Sequence, residues 1–169
     1  MGPGMMYGSG YSIAGCPGMA TYSPVSLPIS QRDALRNLEN FSSRYGANVR
    51  IEDFMIFSNN YYADLVDASS DLGLVEVLVD PYNGNTYREP GPNAMWDVRY
   101  GGRGALGEQR YDLVVAQNVS EVFLNGYLSG SRVMRSKAFP GYYTFDFGRS
   151  EIDGMLSVNY YTGDIWVHT

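Results

Sequence analysis

Apolar residues recur at helical spacing in two segments of the chain. In the first, Ser30 and Asp33 form a variant of the capping box that starts many helices, and Gly46 provides the end. The apolar face between them consists of Ala34, Leu35, Leu38, Phe41 and Tyr45. The second segment runs from about residue 108 to residue 128, with apolar positions at Leu113, Ala116, Val119, Val122, Phe123 and Tyr127. This spacing predicts one helix in each half of the chain.

Short runs of β-branched and aromatic residues follow each helix. After the first helix, strand-like runs cover residues 49–57, 61–66 and 74–79. Asn83-Gly84 then predicts a tight hairpin turn, with a returning strand that starts at Thr86. After the second helix, strand-like runs cover residues 141–147, 155–160 and 165–168, with a turn at Thr162-Gly163. Each half is therefore predicted to be a helix with an antiparallel sheet.

The two halves also share local sequence. Tyr61-Tyr62 recurs as Tyr142-Tyr143, and Val79–Gly84 recurs as Val158–Gly163, at nearly the same spacing along the chain. A unit of this size cannot bury both faces of its sheet alone, so two units are expected to pack together in an α+β fold. The predicted boundaries are an extended head over residues 1–28, a first unit over residues 29–100 and a second unit over residues 101–169.

The N-terminal head is rich in Gly, Pro, Met and Tyr and has no charged side chain. Glycine raises the entropy cost of ordering and proline removes hydrogen-bond donors, so the head is not expected to fold alone. We expect it to become ordered against a second copy of the protein. Its candidate contact residues are Met5, Met6, Tyr7, Tyr11, Ile13 and Tyr22.

The chain contains 15 tyrosines, several of them paired in strand-like runs. Neighbouring side chains of a strand point to opposite faces, so one ring of each pair is expected in the core and the other outside. Tyr62 and Tyr143, with Trp96 and Trp166, are the candidates for a subunit interface, where aromatic residues are enriched. Ordinary packing and cross-strand aromatic pairs are the alternative explanation.

Charge and composition exclude several partners. The chain has 12 Lys and Arg against 18 Asp and Glu, a net charge of −6, and no basic cluster. Nucleic acid is therefore not an expected partner. No run reaches the roughly 18 apolar residues of a membrane span. The start of the chain also lacks the apolar region of a secretory signal, so we expect an exported chain from which the signal has been removed.

Single copies of histidine and cysteine exclude further kinds of site. Zinc sites built from several His or Cys residues, and a disulfide within the chain, cannot form. A serine-type triad would have to use His168, the next-to-last residue, as its base. We therefore expect a non-enzymatic protein with no cofactor.

Two weaker metal-binding hypotheses remain open. Methionines of the head together with Cys16 are soft ligands that suit Cu(I); the candidates are Met1, Met5, Met6 and Met19. Cys16 is alternatively an interchain disulfide partner or a small buried side chain. Carboxylates recur near turns, at Asp64, Asp67, Asp71 and Asp80, where a solvated acidic rim is favoured over a calcium site.

Two other local patterns have a structural and a functional explanation. Asn40 and Asn118 each begin a glycosylation sequon, although both lie in predicted helices. Glu89–Asn93 combines two prolines with a glycine and is interpreted as a rigid turn, with a ligand-binding loop as the alternative.

Several of these motifs together resemble a known family. The segments Asn60–Asp64, Glu76–Gly84, Glu89–Trp96, Gly141–Thr144, Gly154–Asn159 and Thr162–His168 are similar to secreted or membrane-tethered prokaryotic proteins with PepSY-like domains. The resemblance covers roughly residues 29–169 and implies two PepSY-like repeats. It also implies a non-catalytic, extracytoplasmic module that inhibits or chaperones partners, and it supplies no catalytic residue. Because the relatives continue past His168, no role is carried over to that residue.

The sequence thus predicts an exported protein, extracellular or at the cell surface, that self-associates into an oligomer or a filament. The contacts are expected from the head and from tyrosine-rich surfaces. One alternative is a PepSY-type module that restrains a protease or another exported protein. A second alternative is copper binding by the head.

Overall fold

The computed structural model of the protein describes residues 27–101 and 107–168. The first half contains α1 (Gln31–Ser42), a 3-10 turn (Ser43–Tyr45), β1 (Val49–Ile56), β2 (Tyr61–Asp67), β3 (Gly73–Val79) and β4 (Thr86–Arg88). After the short helix α2 (Pro92–Met95) come α3 (Leu113–Tyr127), β5 (Arg132–Phe139), β6 (Tyr142–Gly148), β7 (Gly154–Asn159) and β8 (Ile165–His168). Each half is therefore a helix followed by four strands.

The strands form two antiparallel sheets of the same topology. The strand order is β1-β2-β3-β4 in one sheet and β5-β6-β7-β8 in the other, so each strand pairs with its neighbours in sequence. The predicted α+β fold with antiparallel sheets is confirmed at this level.

Helix α1 begins as its sequence predicts, but of its predicted apolar face Leu35 is exposed. The Ser30 hydroxyl oxygen accepts a hydrogen bond from the Asp33 backbone N–H at 3.2 Å and donates to the Asp33 carboxylate at 2.7 Å. Ala34, Leu38 and Phe41 are buried against the first sheet. The capping and the periodicity of this segment act together, so a local pattern was sufficient to predict it.

Helix α3 begins five residues later than predicted. Asp112 caps it, because its carboxylate accepts the backbone N–H of Val115 at 2.8 Å. The preceding backbone N–H groups of Arg110 and Tyr111 both donate to the carbonyl of Tyr160. Because these two N–H groups donate to the loop after β7, Arg110 and Tyr111 are not part of the helix.

Strand β5 was missing from the sequence prediction. Its residues Arg132, Arg135 and Lys137 interrupt the apolar pattern, and half of the strand is exposed. β5 lies at the edge of its sheet, where charged residues discourage pairing with other molecules. An edge strand of this composition carries no apolar run by which the sequence could reveal it.

Each sheet buries one face against its own helix. The first core consists of Ala34, Leu38, Phe41, Tyr61, Ala63, Leu65, Leu74, Val75, Val77 and Val79. The second consists of Ala116, Leu124, Tyr143, Phe145, Phe147, Leu156 and Val158. The other faces of the two sheets pack against each other, with the Phe139 ring lying against Gly73. The layers are therefore helix, sheet, sheet and helix.

The two hairpin turns are built in the same way. In Asp80–Gly84, the Asp80 carboxylate accepts the backbone N–H groups two and three residues further on. In Asn159–Gly163, the Asn159 side-chain oxygen accepts the corresponding two N–H groups. These turns occupy equivalent places in the two sheets, in agreement with the shared sequence.

The shared tyrosine pairs, by contrast, are one residue out of register. Tyr61 lies opposite Val79, which precedes the first turn, and Tyr143 lies opposite Val158, which precedes the second. Tyr143 therefore takes the place of Tyr61, and Tyr142 stands one position earlier. A shift of one residue reverses the face of a strand residue, so Tyr61 faces α1 while Tyr142 faces the opposite sheet.

Candidate functional site

The predicted tyrosine interface is not on the surface. Tyr62 is only 1% exposed and Tyr143 only 7%, so the expectation that one ring of each pair points outward is wrong for these pairs. The reason is that both faces of each sheet are covered, one by a helix and the other by the second sheet. Trp166 remains 40% exposed on β8. Trp96 is half-buried with its ring edge-on to Tyr142.

A layer of polar side chains lies between the two sheets. We call it the polar layer; it consists of Tyr62, Asp64, Glu76, Tyr142, Thr144, Asp146, Ser157 and His168. Buried polar groups are costly unless they are hydrogen-bonded, and ionised groups are the most costly. The arrangement of donors and acceptors in this layer therefore determines whether the two sheets can pack together.

Glu76 stands at the centre of the polar layer and is fully buried. Its Oε1 atom accepts hydrogen bonds from the Thr144 hydroxyl at 2.8 Å and from the Tyr62 hydroxyl at 2.7 Å. Its Oε2 atom accepts a hydrogen bond from the Tyr142 hydroxyl at 3.0 Å. Hydrogen bonds to an ionised group are about twice as strong as neutral ones. Glu76 on β3 thus joins the two sheets through hydroxyl groups of β6.

Asp64 is the second buried carboxyl group of this centre. The Tyr62 Oη atom lies 2.6 Å from Asp64 Oδ1. Burial, and then the nearby charge of Glu76, raise the pKa of Asp64 well above its usual range. The prediction of a solvated acidic rim is therefore wrong for Asp64, because β2 is covered on both faces. Asp71 lies in an exposed turn, as a rim residue would.

A chain of hydroxyl groups links Glu76 to the histidine. The hydroxyl oxygens of Thr144 and Ser157 lie 2.8 Å apart, and Ser157 Oγ lies 2.9 Å from His168 Nε2. Glu89 Oε1 lies 3.9 Å from His168 Nδ1. Burial lowers the pKa of His168 and raises the pKa of Glu89 to about 8, so both groups are mainly neutral at pH 7.

The order of Ser157, His168 and Glu89 resembles a catalytic triad, but its position does not suit catalysis. Ser157 is fully buried between the sheets, so its hydroxyl group is out of reach of a substrate. The same hydroxyl group is occupied by the hydrogen bond to Thr144. A nucleophile needs an open approach to the reacting atom, which this serine lacks. This arrangement therefore serves the packing of the sheets.

Ion pairs close the cleft at one end of the polar layer. A bulge in β1 gives Asp53 a positive φ of 48° and directs its carboxylate to Arg135, which also pairs with Asp146 at 2.8 Å. Lys137 Nζ lies 2.7 Å from Glu52 Oε2. The cleft beside these residues encloses about 210 Å³, including its mouth. Its charges are paired with one another, so the cleft presents no free charged group to a ligand.

Helix α3 carries the most apolar exposed surface of the described residues. We call this surface the apolar α3 face; it consists of Val114, Val115 and Val122, which lie on the outer side of the helix around the exposed Asn118, while Leu113 and Tyr127 are exposed at its two ends. Val114 is 68% exposed and Val122 is 74% exposed. Glu121 is the single charged residue of the helix, and its carboxylate accepts the backbone N–H of Val133. The outer surface of α1, by contrast, carries Arg32, Arg36 and Glu39.

The sequence analysis did not identify Glu76 or Ser157 as site residues. It also predicted only a buried apolar face for α3, whereas the helix carries exposed apolar residues as well. A signal for Glu76 was present, because this acid interrupts the apolar run of β3. The predicted rigid turn Glu89–Asn93 ends in a helix, because Pro92 and Asn93 begin α2. The Asn93 side chain donates to the carbonyl of Glu76 at 2.9 Å. Asn40 and Asn118 are exposed on their helices.

The predictions for the head cannot be compared with the fold. Met1, Met5, Met6, Tyr7, Tyr11, Ile13, Cys16, Met19 and Tyr22 all lie outside the described residues. Within residues 27–101 and 107–168, no group of three or more His, Cys, Asp or Glu residues is arranged to hold a metal ion. The copper and disulfide hypotheses therefore stay predictions.

Comparison with known proteins identifies no relative. No protein-family model, no curated protein and no solved structure matches the chain. The resemblance to PepSY-like proteins therefore stays a prediction from the residues quoted above. Among the described helices, none is both long and apolar enough to cross a membrane.

Proposed function

We propose that the protein is a non-enzymatic structural building block that self-associates, and that the head of one copy covers the apolar α3 face of another. The exposed apolar surface of α3 is the observation that carries this proposal. As in the sequence prediction, the assembly is placed outside the cytoplasm, as an oligomer or a filament.

The apolar α3 face is costly to leave in water. Fully burying a valine side chain stabilises a protein by about 1.5–3 kcal/mol. About 70% of the surface of Val114 and Val122 is still exposed, so covering these two residues alone would stabilise the contact by roughly 2–4 kcal/mol. Large exposed apolar patches on soluble proteins mark interaction sites. The one charged residue within α3, Glu121, is half-buried and bonded to the Val133 backbone N–H, and the exposed charge of Asp112 lies at the capped start of the helix.

The head has the properties required to cover this surface. The first charged side chain of the sequence is Arg32, so an uncharged segment would meet an uncharged face. The chain enters the body of the protein at Leu27, which is 88% exposed. The 26 residues before it span up to roughly 85 Å when extended, whereas a body of this size has a radius of gyration near 14 Å. The head is therefore long enough to reach a neighbouring copy.

A contact of this kind has consequences for symmetry. Each copy would donate one head and accept another through a different surface, which makes the contact heterologous. Heterologous contacts form rings when the rotation closes and filaments when it does not. Closure after two copies would give a dimer with exchanged heads, and a rotation that does not close would give the proposed filament.

Two variants test the proposal. Val122→Glu places a charge in the apolar α3 face, and deletion of residues 1–28 removes the head. We expect each protein to be monomeric in sedimentation velocity and to keep the circular dichroism spectrum of the intact chain. Asn40→Glu introduces the same charge on the exposed side of α1 and is expected to assemble normally. Assembly of Val122→Glu at the wild-type level would contradict the proposal.

Mixing the two variants identifies the donor of the head. Val122→Glu retains a head, and the deleted chain retains an intact apolar α3 face. If the head binds a second copy, the mixture should contain a one-to-one complex although each variant alone is monomeric. A mixture that stays monomeric would reject the intermolecular contact between the head and α3.

A further inference from the structure

The hydroxyl group of Tyr62 cannot satisfy both of its carboxyl neighbours as a donor. Its oxygen lies 2.6 Å from Asp64 Oδ1 and 2.7 Å from Glu76 Oε1, and both distances are those of hydrogen bonds. A tyrosine hydroxyl carries a single proton. One contact is therefore made by the tyrosine proton, and the other requires a proton on a carboxyl group.

The other hydrogen bonds of Glu76 indicate which carboxyl group holds that proton. Glu76 accepts from Thr144 and Tyr142 in addition to Tyr62, and three donors stabilise an ionised carboxylate. With Glu76 ionised, the Tyr62 proton points to Glu76. Asp64 must then be protonated and must donate through its own hydroxyl group to the Tyr62 oxygen.

The rest of the hydroxyl chain is consistent with this assignment. Because Thr144 donates to Glu76, it accepts the proton of the Ser157 hydroxyl. Ser157 in turn accepts from His168, which places the histidine proton on Nε2. Every bond in the chain then points toward Glu76, and His168 is neutral. The buried centre thus carries one negative charge, on Glu76.

The charged groups around Asp64 oppose its ionisation. Glu76 on β3, Asp53 on β1 and Asp146 on β6 all act on it with negative charge. The nearby cations are on β5, where Arg135 pairs with Asp53 and Asp146, and Lys137 pairs with Glu52. Lys137 also acts on Asp64 with positive charge, but among the described residues its ion pairs are made with Glu52 and Asp71 and not with Asp64.

We propose that the polar layer is a proton-binding site, in which Asp64 takes one proton from solvent when the two sheets pack together. The Asp64–Glu76 pair holds this proton through Tyr62 and releases it to solvent when the protein unfolds. Its ligand is the proton itself, and the consequence is that the body of the protein is less stable as the pH rises.

The direction in which stability changes with pH follows from the linkage between protonation and folding. The pKa of Asp64 is raised in the folded state, and unfolded aspartate has a pKa of about 3.9. Stability is therefore full below about pH 4 and is lost as the pH rises toward the folded pKa. In this range one bound proton makes the unfolding equilibrium constant rise tenfold per pH unit, which is about 1.4 kcal/mol.

The test measures unfolding of the full chain by urea from about pH 4.5, just above the pKa of unfolded aspartate, up to about pH 7.5. Asp64→Asn keeps an N–H donor toward Tyr62 and removes the titration. For each pH unit, the unfolding equilibrium constant of the wild type should rise by a factor ten times larger than that of this variant. Asp153→Asn is the control away from the cleft: the hydrogen bond from Arg149 holds the pKa of Asp153 below its usual range, so this variant should keep the wild-type slope. Equal slopes for wild type and Asp64→Asn would overturn the proposal.

An infrared measurement keeps the proposal testable if Asp64→Asn fails to fold. A protonated carboxylic acid has a carbonyl band separate from the bands of a carboxylate. Wild-type protein labelled at aspartate with carbon-13 should show a shifted carbonyl band of this kind at pH 7. Absence of a protonated aspartate band from the folded wild-type protein would reject the buried proton on Asp64.

Discussion

The contribution of the polar layer to stability can be measured with a single hydroxyl group. Tyr142→Phe removes the hydrogen bond to Glu76 Oε2 and leaves the ring in place. A hydrogen bond to a charged group contributes about 1.5–3 kcal/mol, and Glu76 would keep only two of its three donors. We therefore expect Tyr142→Phe to lower the free energy of unfolding by about 1.5–3 kcal/mol.

Tyr143→Phe is a matched control on the same strand. The Tyr143 hydroxyl faces the other side of β6, where it accepts a hydrogen bond from the neutral Gln109 side chain at 3.0 Å. The Tyr143 hydroxyl is also hydrogen-bonded to that of Tyr160, and each neutral hydrogen bond of this kind contributes about 0.5–1.5 kcal/mol. Urea unfolding at one pH, analysed as a two-state transition, gives both values. A larger loss for Tyr143→Phe than for Tyr142→Phe would refute the assignment of Tyr142 to the polar layer.

Four further substitutions test the packing, the cap of α3 and the buried acids. Gly73→Ala would place a methyl group against the Phe139 ring and should destabilise by about 1–3 kcal/mol, whereas Gly126→Ala in exposed α3 should stabilise by about 0.5–1 kcal/mol; thermal unfolding compares them. Asp112→Ala should cost about 1 kcal/mol through the lost cap of α3, measured by the same assay. Glu89→Gln should reduce the loss of stability that wild type shows between about pH 4.5 and pH 8, because Glu89 binds a proton on folding; an unchanged pH profile would contradict this.

The polar layer also bears on how the two units recognise each other. Replacing buried charged groups by apolar ones is often neutral or stabilising, so such groups are weak evidence for stability. A single buried acid with three donors does, however, penalise any packing in which those donors are misplaced. The Tyr142–Glu76 bond therefore favours one docking arrangement of the sheets over its alternatives, and apolar faces alone would impose no such restriction.

The sequence by itself determined the elements whose signals are local. Helix α1 has its cap and its apolar face within a dozen residues, and the turns after β3 and β7 follow from Asn83-Gly84 and Thr162-Gly163. Strand β5 could not be predicted, because an edge strand that contains Arg and Lys has no such local signal. Two helix-plus-sheet units could therefore be predicted from the chain.

Only the tertiary structure decided which faces of the sheets are buried. The alternation along β2 and β6 predicts two faces but does not say what covers the second one, because that depends on a unit far away in the sequence. Packing of the second sheet buried Tyr62 and Asp64, and the one-residue offset of Tyr142 turned it toward Glu76. Burial sets the cost of a charge, so the protonation of these acids was fixed by long-range packing and not by their own sequence neighbours.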